Sequence, residues 1–334
     1  MKTKAPLSRS IGLFVATLLL VVQSTSSAVD VTADRLNIGA GHSLTGTDSS
    51  IAGGFTNRIN ADYATIAGGY SNTNTSSAGF IGGGQENSVS GLFSTIAGGY
   101  NNRVTGSLSF IGGGEASVIT GDDSIIGGGY GNLVTNAYAV VAGGSGNIGG
   151  GYISVVGGGF NNTNNALSGT ISGGGGNRTT GDYSTIVGGL QANAPLYGQS
   201  ARASGAFSIP GDAQASEYIL RRTVTTTNAT ELFLDGTTNR MTIPSGSTWA
   251  FEALVVARGG TNSAGYQVKG VIENNGGNTA LVGSATTTTL GEDISSWNAT
   301  ALADNTFDAL VISVTGDAST NRWVATVRAA EVKF

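Results

Sequence analysis

The chain has 334 residues, of which 55 are glycine and none is cysteine, and charged residues make up only 11 %. Without a three-residue glycine period it is not collagen-like, and a hydrophobic share of 39 % is too high for a disordered chain. A formal net charge of −5 argues against nucleic acid and anionic membrane surfaces as partners, and the lack of cysteine excludes disulfides as a source of stability.

Residues 1–28 read as a secretory signal peptide. Lys2, Lys4 and Arg9 form a basic start, Ile11 to Val22 an apolar core, and Ser26, Ser27 and Ala28 a small-residue cleavage site. The apolar run is short of the ~20 residues that span a bilayer as a helix. The expectation is therefore an exported, extracellular or cell-surface protein with no membrane-spanning segment after cleavage. Loss of the three bases moves the net charge to −8. Residues 29–35 are a lead-in.

From residue 36 to 190 the chain repeats every fifteen residues. An aliphatic column holds Ile51, Ile66, Ile81, Ile96, Ile111, Ile126, Val141, Val156, Ile171 and Ile186, each followed two residues later by a glycine pair. A polar column follows, from Asn57 through Asn102, Ser117 and Asn132 to Asn177. A weaker apolar column contains Ile59, Val89, Val104, Ile119 and Val134, and a second glycine column contains Gly91, Gly106, Gly121, Gly151 and Gly181. Fifteen residues are too few for two helices and a turn, and no 3.6-residue pattern is present. The period fits one coil of a parallel β-solenoid, with two short strands and two turns. Glycine supplies positive φ at the turns; asparagine tolerates the same conformation and its stacked amides bond along the ladder.

The residue after each aliphatic is small: Ala52, Ala67, Gly82, Ala97, Gly112, Gly127, Ala142 and Gly157. On a strand this column faces away from the aliphatic core, so it is expected to pack closely against another copy of the chain. Three residues further on, Phe55, Tyr70, Tyr100, Tyr130 and Phe160 form an aromatic stripe. The stripe is expected to cover solenoid edges and inter-chain grooves, with surface contact as the alternative.

Phrases such as NSVSGLFSTIAGG (Asn87 to Gly99) resemble the head repeats of trimeric autotransporter adhesins over residues 36–190. The resemblance implies a β-roll, three chains wide, with small residues at the shared centre. Two features of that family are missing: no heptad-patterned stalk follows the repeats, and the end does not look like a membrane-anchor barrel segment.

Residues 191–204 read as a linker or cap. Beyond them, short β-type runs separated by Thr, Asn and Gly clusters predict a β-sandwich, jelly-roll-like, over residues 205–334. EYILRRTVTTTNATELFLDG (Glu217 to Gly236) and STWAFEALVVAR (Ser247 to Arg258) resemble a module at the ends of phage tail-fibre proteins. The expected fold is thus all-β, a solenoid followed by a sandwich.

Motifs for chemistry are sparse. The glycine pairs lack the G-K-[S/T] of a phosphate loop, and Gly128 to Asn132 lacks the Asp of calcium-binding repeats. His42, the single histidine, falls in the polar column and reads as a turn residue. Asp122–Asp123 and Glu292–Asp293 read as solvated loops, since neighbouring side chains point apart. No catalytic residue, cofactor or metal is expected. The functional expectation is a homotrimeric fibre with an adhesive or receptor-binding role toward a surface glycan or protein, without catalysis. The alternative is a subunit that polymerises into an extracellular filament or sheath.

Overall fold

The computed structural model describes residues 35–334. The signal-peptide reading of residues 1–28, and the lead-in up to residue 34, lie outside the described residues. The described chain is all-β: a parallel β-solenoid of about eleven coils followed by antiparallel sheets, as the repeat predicts.

One coil shows how the sequence builds the rest. Thr95–Ile96 forms the first short strand, paired in parallel with Phe80–Ile81 before it and Phe110–Ile111 after it. The chain turns at Gly98-Gly99, bridges through Tyr100, and forms the second strand Arg103–Val104. Ile96 and Val104 point inward and are fully buried. Burying such a side chain contributes about 1.5–3 kcal/mol. Stacking repeats this at the ~4.8 Å strand spacing, so eleven coils extend about 50 Å.

Two polar ladders lock the corners. The Asn102 amide donates to Gly98 O at 3.3 Å and to Gly114 O at 2.9 Å, while its Oδ1 accepts the Ser117 N–H at 3.0 Å. Asn72, Asn87, Asn132, Asn147, Asn162 and Asn177 repeat the pattern, all buried. The asparagines are therefore interior struts and not turn residues; none is among the positions of positive φ. His42 caps this ladder. Its Nδ1 accepts the Asn57 N–H and its Nε2 lies 3.0 Å from Ile38 O, the two contacts an asparagine makes one coil later. At the opposite corner Ser94 donates to Gly106 O at 2.8 Å and accepts the Ser109 N–H at 3.1 Å.

The second glycine column also differs from expectation. Gly106 is not at positive φ; a Cβ there would lie 2.0 Å from Gly121 O, so glycine is required by the approach of the next coil. The left-handed position falls two residues later, on side chains of every kind: Phe93, Leu108, Tyr138 and even β-branched Ile153, with φ between 55° and 59°. Such a backbone costs about 1–2 kcal/mol per residue. It is held by bonds to the preceding coil, such as Leu108 N–H to Leu92 O at 2.8 Å.

The solenoid core is continuous from Ile51 to Val156 and resumes at Ile171. At the break the second inward column reads Gly149, Asn164 and Thr179. Asn164 is buried there by donating to Val155 O and Gly169 O and accepting from the Thr179 hydroxyl. Residues 191–204, expected as a linker or cap, carry two further strands. Asn193–Ala194 and Ser200–Ser204 add another coil, in register with Arg178–Thr179 and Thr185–Leu190. Its Ala203-Ser204 stands where the glycine pair stood, which hides the period in the sequence.

Ser200–Ser204 then pairs antiparallel with Ala213–Val224, so the solenoid sheet runs without a break into the next layer. There Ala213–Val224, Asn321–Lys333, Ser247–Gly259 and Asn262–Asn274 lie side by side. A smaller sheet of Thr230–Glu231, Met241–Thr242, Asn298–Asp304 and Ala309–Thr315 covers one face. The core between them includes Tyr218, Trp249, Tyr266, Trp297 and Trp323. Clean alternation of buried and exposed residues along Ser247–Gly259 is what a half-buried strand demands.

Candidate functional site

The predicted small-residue column lies along the outer side of the first strand. Ala52, Ala67, Ala97, Gly127, Ala142 and Gly157 are exposed, and Gly82 and Gly112 half-buried. The aromatic stripe stands on a different side of the coil. Its residues form one unbroken parallel ladder of bridges running Phe55, Tyr70, Gln85, Tyr100, Glu115, Tyr130, Ser145, Phe160, Gly175 and Leu190. Phe55, Tyr70, Tyr100, Tyr130 and Phe160 are each 41–56 % exposed. Phe55 and Tyr70 stack, with ring centroids 6.1 Å apart and planes within 11°. The Phe160 ring leans over the next rung, where a Cβ on Gly175 would sit 2.3 Å from it. From Tyr70 to Phe160 every second rung carries a ring, and the rungs between carry Gln85, Glu115 and Ser145.

Acidic groups gather at the middle of this ladder. The Gln85 amide donates to Glu86 at 2.9 Å. The charge of Glu86 raises the Tyr100 phenol pKa, helped by desolvation, a hydrogen bond to Glu86 and the charge of Glu115. Glu86 and Glu115 therefore flank the Tyr100 hydroxyl, on backbones two rungs apart, or about 9.6 Å along the rod. Carboxylates adjacent in the chain, such as Asp122–Asp123, do not reveal this pair. In a solenoid the neighbours that matter lie fifteen or thirty residues apart.

A second polar cluster sits where the last coil meets the sandwich. Glu331 is 9 % exposed and accepts from the Tyr218 hydroxyl at 2.7 Å and from the Gln214 amide at 2.8 Å. Gln199 reaches across from the solenoid to donate to Tyr218 Oη and Ser216 Oγ. Gln214 ties back to the backbone of Asn193 in both directions. No ion pair among the described residues neutralises Glu331. Burial pushes its carboxyl above the ordinary range, against hydrogen bonds from Ser216, Tyr218 and Gln214 that pull it down. The signal for it was in the sequence: Trp323, Val327 and Ala329 face inward, and the period of two puts Glu331 on the same face.

A raised pKa means the folded protein holds this proton more tightly than the unfolded chain. The stabilisation is complete below the unfolded value of about 4.3 and is lost as pH rises through the elevated folded value. Glu331→Gln mimics the protonated acid. It is expected to be more stable than the parent at pH 8 and to lose that advantage below about pH 4.3, as measured by urea midpoints across the range. A stability difference independent of pH would contradict this assignment.

No family model matches the chain, and no curated protein matches it. The autotransporter-head resemblance thus gains no support beyond the β-solenoid itself. Solved structures found by comparison are phage tailspike proteins. One is gp49 from Acinetobacter baumannii bacteriophage Fri1, a capsular polysaccharide depolymerase, with TM-score 0.25, 9 % identity, and coverage of 87 % of this chain and 67 % of that one. Another is the tailspike of Acinetobacter phage vB_ApiP_P1, with TM-score 0.23, 12 % identity, and coverage of 91 % and 75 %. A depolymerase is an enzyme, so the expectation of an adhesive or receptor-binding fibre without catalysis does not stand and is withdrawn. At such low scores neither structure assigns an activity to this chain.

Among the described residues no helix is long and apolar enough to cross a membrane.

Proposed function

We propose that the chain engages an extended polysaccharide laid along the aromatic ladder of its solenoid. The observation that carries this reading is the alternation of half-exposed rings with Gln85, Glu115 and Ser145 along one straight ridge. A sugar polymer is itself a linear repeat of apolar ring faces and hydroxyl edges. Rings on alternate rungs, about 9.6 Å apart, match the repeat of a disaccharide, and carboxylates and amides between them accept or donate to hydroxyls. The acidic balance of the chain disfavours polyanionic glycans, so the reading favours neutral ones.

The double variant Tyr100→Ala/Tyr130→Ala is expected to lower affinity for a neutral polysaccharide by about tenfold or more, since each aromatic contact contributes about 0.5–1.5 kcal/mol. Both side chains are half-exposed, so folding is preserved. A screen of neutral and acidic polysaccharides by affinity electrophoresis reads the effect. Equal mobility of parent and variant on every glycan retarding the parent would contradict the reading.

The Glu86 and Glu115 pair favours a second reading, hydrolysis of the bound chain. Inverting glycosidases work with two carboxyl groups set across the bond they break, and Glu86 and Glu115 are two carboxylates that both act on the Tyr100 hydroxyl. Release of reducing ends from the retained polysaccharide tests it. Turnover abolished by Glu86→Gln or Glu115→Gln supports hydrolysis, and no release by the parent chain excludes it.

A further inference from the structure

The cleft between the last coil and the sandwich has a volume of about 620 Å³, within the ~300–1,000 Å³ typical of small-molecule sites. Its walls are stiff. Pro195, Pro210 and Pro244 line it, three of the four prolines in the chain, and each ring fixes its own φ. The turn 207–212 is clamped by Asp212, whose carboxylate accepts the N–H groups of Phe207, Ser208 and Ile209. Burial opposes that charge, yet the bonds from Ile209, Ser208 and Phe207 hold the carboxyl down at about 2.

The inner surface is equally fixed. Glu331 stands on the floor with its buried network, and Asp308 stands in the wall. Asp308 has φ 51°, and its Oδ1 accepts from the Thr279 hydroxyl at 2.7 Å while its carbonyl accepts the Ile243 N–H. These two bonds fix the orientation of its carboxylate, and the left-handed turn is one that aspartate adopts readily. Phe307 lines the same cleft with its ring 52 % exposed. The Arg240 guanidinium lies 4.2 Å from the centre of that ring and is itself held by Glu231 through three hydrogen bonds. An exposed aromatic ring is thus positioned before any ligand arrives. The ionisable groups lining the cleft are Tyr218, Asp308, Glu331 and Lys333.

We propose that this cleft binds a single sugar ring, the terminal residue of a neutral glycan, with its apolar face against Phe307 and its hydroxyls on Asp308, Glu331 and Lys333. The enclosure fits the end of a chain, whereas the open ladder fits its middle. The choice of a sugar rests on the polysaccharide reading above; the cleft and its fixed groups do not.

Saturation-transfer NMR on the full chain tests this with neutral trisaccharides of glucose, galactose, mannose and N-acetylglucosamine as probes. At least one is expected to bind, with saturation strongest at one terminal ring. Phe307→Ala is expected to weaken it about tenfold. Its half-exposed side chain makes this the variant that leaves folding intact, with Glu331→Gln as the second probe. The ladder variant Tyr100→Ala/Tyr130→Ala is expected to bind the trisaccharide as the parent does. Trisaccharide binding without polysaccharide binding would overturn the ladder and leave the cleft standing. No transfer to any of the four, or transfer unaffected by Phe307→Ala, would overturn the cleft.

Discussion

Asn102→Leu is expected to destabilise the solenoid by about 3 kcal/mol, a large fraction of the stability of an ordinary domain. Leucine keeps the branched outline of asparagine, with the same number of side-chain heavy atoms, but makes none of its bonds. The Ser117 N–H, which points at Asn102 Oδ1, is left buried without an acceptor, and Gly98 O and Gly114 O each lose a donor. Asn87 Oδ1 loses the amide contact at 3.2 Å but keeps the Asn102 N–H. Chemical denaturation followed by circular dichroism measures the loss. A change under about 0.5 kcal/mol, the size of an ordinary surface substitution, would show that the asparagine ladder does not hold the coils together.

Gly99→Ala is expected to be at least as damaging, while Gly98→Ala next to it is expected to be nearly silent. Gly99 has φ +97°, and a Cβ there would lie 2.1 Å from the Gly114 carbonyl oxygen of the next coil. That atom is backbone and cannot swing aside, so the coils must part. Strain and overpacking together amount to about 3 kcal/mol or more. At Gly98 a Cβ meets nothing within 4 Å. The pair is read in one experiment, comparing soluble yield and thermal midpoint. Similar behaviour of the two variants would mean that the corner is not built as described.

These contrasts show where the sequence was legible. The fifteen-residue period places Ile51 to Ile186 in the core, because identical coils must stack identical residues. It cannot say why a column is polar or small. Asparagine suits both a left-handed turn and a buried strut, and only the path of the coil brings Asn102 within reach of Gly98, Gly114 and Ser117. Gly99 and Gly106 look alike in the sequence, yet the first answers both a positive φ and a neighbouring carbonyl and the second the carbonyl alone. The last coil was missed because Ala203-Ser204 replaced the glycine pair. The acidic flanks of Tyr100 were missed because Glu86 and Glu115 are twenty-nine residues apart and become neighbours only through stacking.

The central claim, that polysaccharide lies along the aromatic ladder, is tested most directly by hydrogen–deuterium exchange of the full chain with and without a retained neutral polysaccharide. Added protection is predicted at residues 84–86, 99–101, 114–116 and 129–131, on successive rungs of the ladder. Unchanged exchange there, or protection confined to the opposite turns at residues 90–93 and 105–108, would contradict it.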